Sequence, residues 1–283
     1  MHRLLSIPAL LTLLAATCGE SAPAPDAEGE RAVDLPNVPY ALATPSASFD
    51  LPADLREISD LTVLADSTLG AVQDEDGLLF SLDPATGAVR SQTAFKERGD
   101  FEGVERVGDD VWALESNGTL YRIERGEGEV EAERVETGLA GRNDTEGLAY
   151  DAARNRLLIA CKENPGTGLG SVRAVYAFDL ATRTLSAAPV FTLDRQLVDA
   201  EQSFKPSAIA IRPGTGEFYV LSSVRKAIAV VAPDGTLRTL IDLPEALYAQ
   251  PEGLTFLPDG TLFISNEGPD GPATLLRFDP TDR

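Results

Sequence analysis

From about residue 58 onward the chain alternates short apolar runs with turn residues, and the runs fall into a repeat. Each unit opens on an apolar strand: SDLTVL, EGVERV, EGLAYD, SAIAIR, EGLTFL. A turn leads to a second strand: TLGAVQDE, DVWALES, RLLIACKE, EFYVLSS, TLFISNE. A third follows: GLLFSLD, GTLYRIE, RAVYAFDL, KAIAVVAPDG, ATLLRFDP. A more polar fourth comes after most of them: GAVRSQTAF, VEAERVETG, TLSAAPVFTL, GTLRTLIDL. Period-two alternation, β-branched and aromatic enrichment, and DG, NG and PDG turns together predict strands joined by hairpins.

The units are anchored at Ser59, Glu102, Glu146, Ser207 and Glu252, spaced 43, 44, 61 and 45 residues apart. A four-stranded unit of about 40–45 residues is the length of a propeller blade. The long interval carries two insertions, NPGTGLGS and LDRQLVDAEQS. The fifth unit ends without a fourth strand, and YALATPSASFDL (residues 40–51) lies upstream without a partner. The prediction is an all-β, five-bladed β-propeller over residues 40–283, with the N-terminal strand closing the last blade. Closure removes the open sheet edge of a linear array. Six blades, one of them cryptic in the insertion, is the alternative.

In such a wheel the first strand of each blade lines the central channel. The five anchors then form a ring at its mouth, surrounded by the ends of the second strands: Asp74 and Glu75, Glu115, Lys162 and Glu163, Ser222 and Ser223, Asn266 and Glu267. Gly103, Gly147 and Gly253 suit crowding near the axis. Clustered carboxylates must protonate, meet a base or bind a cation. The expectation is that no base enters the ring, with Lys162, Lys205, Arg225 and Lys226 further out. A metal site built from Glu102, Glu146, Glu252, Ser59 and Ser207, holding Ca²⁺, relieves the repulsion. A hydrated acidic channel without a specific ion is the alternative.

Composition narrows the chemistry. The only histidine, His2, lies in an N-terminal leader, so the mature chain has no imidazole for a Ser-His-Asp or Cys-His system or a His-ligated metal. Cys161 is the only cysteine besides Cys18. Any metal must be held by oxygen, which favours Ca²⁺ or Mg²⁺. Residues 1–17, MHRLLSIPALLTLLAAT, read as a signal peptide, and LAATC resembles a lipobox with Cys18 as the lipidated residue. An ordinary secretory signal is the alternative. Residues 18–39 read as a disordered tether. Loss of Arg3 with the leader leaves 23 Lys and Arg against 45 Asp and Glu, a net charge of −22. That argues against nucleic acid or anionic lipid as a partner; it also serves solubility.

ISDLTVLADSTLGAVQDE, DFEGVERVGDDVWALES, DTEGLAY with CKENP, and PEGLTFLPDGTLFISNE resemble the bacterial SdiA-regulated proteins, the YjiK-like group. The resemblance runs over all five units. It implies a five-bladed propeller distantly related to NHL-type and gluconolactonase-type propellers, with a calcium site to which Glu102, Glu146 and Glu252 correspond. It supplies no reaction. Ser223, where a relative places His, and the long final loop NEGPDGPA depart from the pattern.

Two functions follow as expectations. The first is an exported, lipid-anchored, calcium-holding module of the cell envelope, a monomer that binds a small molecule or an envelope protein. The second is a metal-dependent hydrolase of the lactonase or phosphoesterase type, with Glu75 or Glu267 as general base.

Overall fold

The computed structural model describes residues 38–64, 68–124, 130–170, 172–195 and 204–281. The leader, Cys18 and nearly all of the tether lie outside the described residues.

The strands follow the repeat. A short strand, β1 (Ala47–Asp50), precedes the first blade, which is built from β2 (Ile58–Val63), β3 (Leu69–Gln73), β4 (Asp76–Leu82) and β5 (Val89–Arg98). The second has β6 (Phe101–Val107), β7 (Asp110–Glu115), β8 (Thr119–Ile123) and β9 (Glu133–Glu136). The third has β10 (Thr145–Asp151), β11 (Arg156–Cys161), β12 (Val172–Asp179), β13 (Thr184–Leu185) and β14 (Phe191–Asp194). The fourth has β15 (Ala208–Ile211), β16 (Phe218–Ser222), β17 (Ala227–Val231) and β18 (Leu237–Asp242). The fifth has β19 (Pro251–Phe256), β20 (Leu262–Asn266) and β21 (Thr274–Phe278).

These form five antiparallel sheets, and β1 is the outermost strand of the fifth. The innermost strands touch in a closed cycle: β2 with β6, β6 with β10, β10 with β15, β15 with β19, and β19 with β2. The protein is a five-bladed β-propeller closed by its N-terminal strand. In the third blade TLSAAPVFTL does not run as one strand. It splits into β13 and β14, both paired to β12, because Ser186 and Val190 turn their N–H groups back to Ala177 and Val175 around Pro189.

Hydrophobic clusters fill the spaces between blades. Leu148, Leu157 and Phe178 of the third blade pack with Trp112, Leu114 and Leu120 of the second. Trp112 and Tyr121 are packing residues, in two different hydrophobic clusters. Cys161 is fully buried, and burial pushes its thiol up to about 12.

The closure is anchored by more than β1. Val38, Tyr40 and Leu42 sit in the core between the fourth and fifth blades. The Tyr248 hydroxyl donates to the Leu42 carbonyl at 2.8 Å, and Tyr248 is fully buried. Tyr248→Phe strands that carbonyl, so it is expected to cost about 1–3 kcal/mol, read as a lower denaturation midpoint at unchanged slope.

Candidate functional site: the channel mouth

The anchor residues reach the axis through a shared backbone irregularity. In four of the five blades the pairing of the inner strand with its neighbour skips one residue: between Ile58 and Asp60, Phe101 and Gly103, Thr145 and Gly147, and Pro251 and Gly253. The skipped residues are Ser59, Glu102, Glu146 and Glu252. A β-bulge re-aims the extra side chain, and here it places one polar group per blade at the mouth. Ser207 lies immediately before β15 and gives its N–H to the carbonyl of Leu221, the residue paired with Ala208.

The glycine after each acid lets the next blade close in. A Cβ on Gly103 would lie 2.9 Å from the Leu148 Cβ. On Gly147 it would lie 2.9 Å from the backbone of Ala208 and Ile209, and on Gly253 3.0 Å from the Asp60 backbone.

The three glutamates lie near enough to influence one another electrostatically, and Glu146 and Glu252 line one cavity. Glu146 is buried, and Glu102 and Glu252 are partly buried. Burial, then the Glu146 charge, push Glu102 up to about 10. Burial also raises Glu252, while Ser223, Lys162, Gln250 and Ser207 pull it back. Among the described residues Glu102 has no hydrogen bond or ion pair. Ser207 donates to the Pro251 carbonyl at 3.3 Å, and Ser59 to the Glu57 carbonyl at 3.3 Å. Ser59 is thus turned to its own strand.

The structure corrects one expectation. Lys162 does not lie outside the ring. It forms an ion pair with Glu146 and also feels Glu252. It stays charged because those carboxylates outweigh its own burial. Its neighbour Glu163 pairs with Lys205. A cavity of about 300 Å³ opens here, lined by Glu146, Glu252, Lys162, Lys205, Lys226 and Gln250 among others.

The two candidate bases part company. Glu267 is partly buried, accepts a hydrogen bond from the Gln250 amide, and is pushed up to about 8 by burial and then by Glu252 and Asp74. Glu75 is exposed. Glu115 is spent on structure, accepting from Lys96 at 2.7 Å, Asn117 at 3.1 Å and Tyr121 at 3.0 Å.

Two acids deeper in the channel escaped sequence reading. Asp60 is fully buried, and its Oδ2 accepts the Val104 N–H at 2.9 Å. Glu105 accepts the Thr62 hydroxyl at 2.7 Å and the N–H groups of Arg106 at 2.8 Å and Tyr150 at 3.1 Å. The axial edge of an innermost strand has no further strand to pair with, so its N–H groups need side-chain acceptors. Asp60 and Glu105 supply them across the first three blades. A charged residue at an otherwise apolar inner position was the available signal.

The donor set suits a hard divalent cation: oxygen only, with three carboxylates against one ammonium. Among the described residues, no three acidic side chains are close enough together to cage an ion as they stand.

A closed wheel of five four-stranded blades with an acidic hub defines the class, a small β-propeller. The family described as SdiA-regulated matches residues 50–276, and the chain belongs to it. A search of curated proteins finds no match. Among solved structures, the glutaminyl cyclase of Myxococcus xanthus is 15% identical with a TM-score of 0.60, covering 84% of this chain and 97% of that one. A gluconolactonase from Xanthomonas campestris is 16% identical with a TM-score of 0.50, covering 78% and 72%. At such identities the likeness is one of fold.

Proposed function

We propose that the protein is a cation-dependent binding module whose hub holds Ca²⁺ through Glu102, Glu146 and Glu252, with Ser207 as an outer oxygen. The observation that carries this is the excess of negative charge: three glutamates from three blades lie within electrostatic reach of one another, and of the three Glu146 alone has an ion pair among the described residues, with Lys162. Bound there, the cation would supply a fixed positive charge facing the cavity. In this reading residues 1–17 direct export and Cys18 carries lipid. The wheel then works at the cell envelope on a tether, as a monomer.

Calorimetric titration of metal-stripped protein is expected to show one Ca²⁺ per chain. Glu252→Gln is expected to weaken it by about tenfold or more, since a carboxylate ligand is lost. Undiminished affinity in that variant would remove the hub from the account.

A second reading, a hydrolase of the lactonase or phosphoesterase type, draws on Glu267. A carboxyl held near neutrality beside the cavity suits a general base. Turnover of a lactone or phosphate ester that Glu267→Gln abolishes would replace the binding reading with this one.

A further inference from the structure

The distribution of lysine singles out the cavity. The chain has four lysines among its 24 basic residues, and the other 20 are arginine. Three of those four, Lys162, Lys205 and Lys226, line the same cavity at the channel mouth. They come from separate places: Lys162 follows β11, Lys205 precedes β15, and Lys226 sits in the turn between β16 and β17. In a chain this acidic, three ammonium groups gather at one opening, two of them matched by the carboxylates they pair with.

They are not equally occupied. Lys162 is held by Glu146 and Lys205 by Glu163. Lys226 is partly buried and has no acidic partner among the described residues. Its neighbour Arg225 pairs with Asp242 at 2.8 Å. Lys226 is also held in the left-handed region, with φ of 50°, and its N–H reaches the Ser223 carbonyl at 3.2 Å. A non-glycine residue adopts this conformation at some cost. The same lining includes Ser207, Ser223, Gln250 and Glu252, groups that hydrogen-bond to hydroxyls.

We infer that the cavity takes a small oxyanion, a carboxylate or phosphate group, seated on Lys226 with Lys205 and Lys162 beside it, while the rest of the ligand presents hydroxyls to Ser223, Gln250 and Glu252. The volume, near the lower end of the usual range of about 300–1,000 Å³ for ligand pockets, suits a small molecule. The inference deepens the proposed function, since a hub cation would face the same oxyanion. The lysine seat itself is defined without the cation.

The test uses two probes, glycolate and methyl phosphate, titrated calorimetrically into the full mature chain in Ca²⁺ and, separately, in EDTA. At least one probe is expected to bind the wild type. Lys226→Gln is expected to weaken that probe by about tenfold, as loss of one charge-assisted contact does, and Lys226→Arg to restore most of it. Calcium affinity and melting temperature in Lys226→Gln should match the wild type, which separates loss of the seat from misfolding. Whichever probe binds tells whether the group is a carboxylate or a phosphate. Lysine-dependent binding in a protein that takes up no Ca²⁺ would uphold the oxyanion seat and sink the cation reading. If neither probe binds in either condition, or Lys226→Gln binds as well as the wild type, the seat does not exist.

Discussion

Adding Ca²⁺ to metal-stripped protein is expected to raise its melting temperature by about 5–10 °C at a hundredfold excess over Kd, and the gain should grow with pH. A ligand at that excess stabilises the native state by about 2.7 kcal/mol, and for a domain of this size about 2–4 °C accompany each kcal/mol. The pH dependence follows from the direction of the shifts. Burial and mutual repulsion hold Glu102 up to about 10 and Glu267 up to about 8 in the folded protein, above the ordinary carboxylate range. Groups raised on folding favour the native state fully at low pH, and that contribution is lost as pH climbs through the raised values. The metal-free protein should therefore melt at lower temperature as pH goes from about 6 to about 10. Protons and Ca²⁺ compete for the same oxygens, so calcium affinity rises over the same window. Glu102→Gln separates the two effects. It should make the metal-free protein more stable at alkaline pH while removing the calcium-induced shift. Scanning calorimetry at several pH values, with and without EDTA, reads both.

The second large effect concerns the closeness of the blades at the hub. Gly147→Val is expected to cost about 3 kcal/mol or more, a fall in melting temperature of about 6–12 °C. The new side chain meets the backbone of Ala208 and Ile209, which belongs to the next inner strand and cannot swing aside as a flexible side chain could. Because Glu146 is the bulge residue just before Gly147, the same variant should also weaken calcium binding. Gly141→Ala is the matched control. Nothing lies within 4 Å of a Cβ there, so its change should stay within about 0.5 kcal/mol. Equal loss in both variants would mean that the blades are not packed at the hub as described.

Much of this was legible in the sequence. The five starts carry Ser, Glu, Glu, Ser and Glu at nearly blade spacing, and residues 40–51 lacked a partner, so the wheel and its closure by β1 could be read from period alone. Glu102, Glu146 and Glu252 could be placed together because a closed ring brings equivalent positions to one axis. What sequence did not carry was side-chain direction. Lys162 stands one residue past the end of β11, where strand alternation leaves its reach undecided, and only the long flexible stem brings its ammonium to Glu146. The bulges were hidden too, since a residue skipped in pairing leaves the composition of a strand unchanged. Asp60 and Glu105 are acids within apolar runs, and their purpose shows only once the N–H groups of the adjacent blades face them. The break between β13 and β14 depends on which N–H groups turn back to β12, a choice made by tertiary pairing.

Anomalous diffraction from crystals of the mature chain grown in Ca²⁺ tests the hub most directly. The account predicts one calcium peak on the channel axis, with oxygens of Glu102, Glu146 and Glu252 at about 2.3–2.6 Å. A map with no peak between those three side chains, or with calcium only on exposed surface acids, would contradict it.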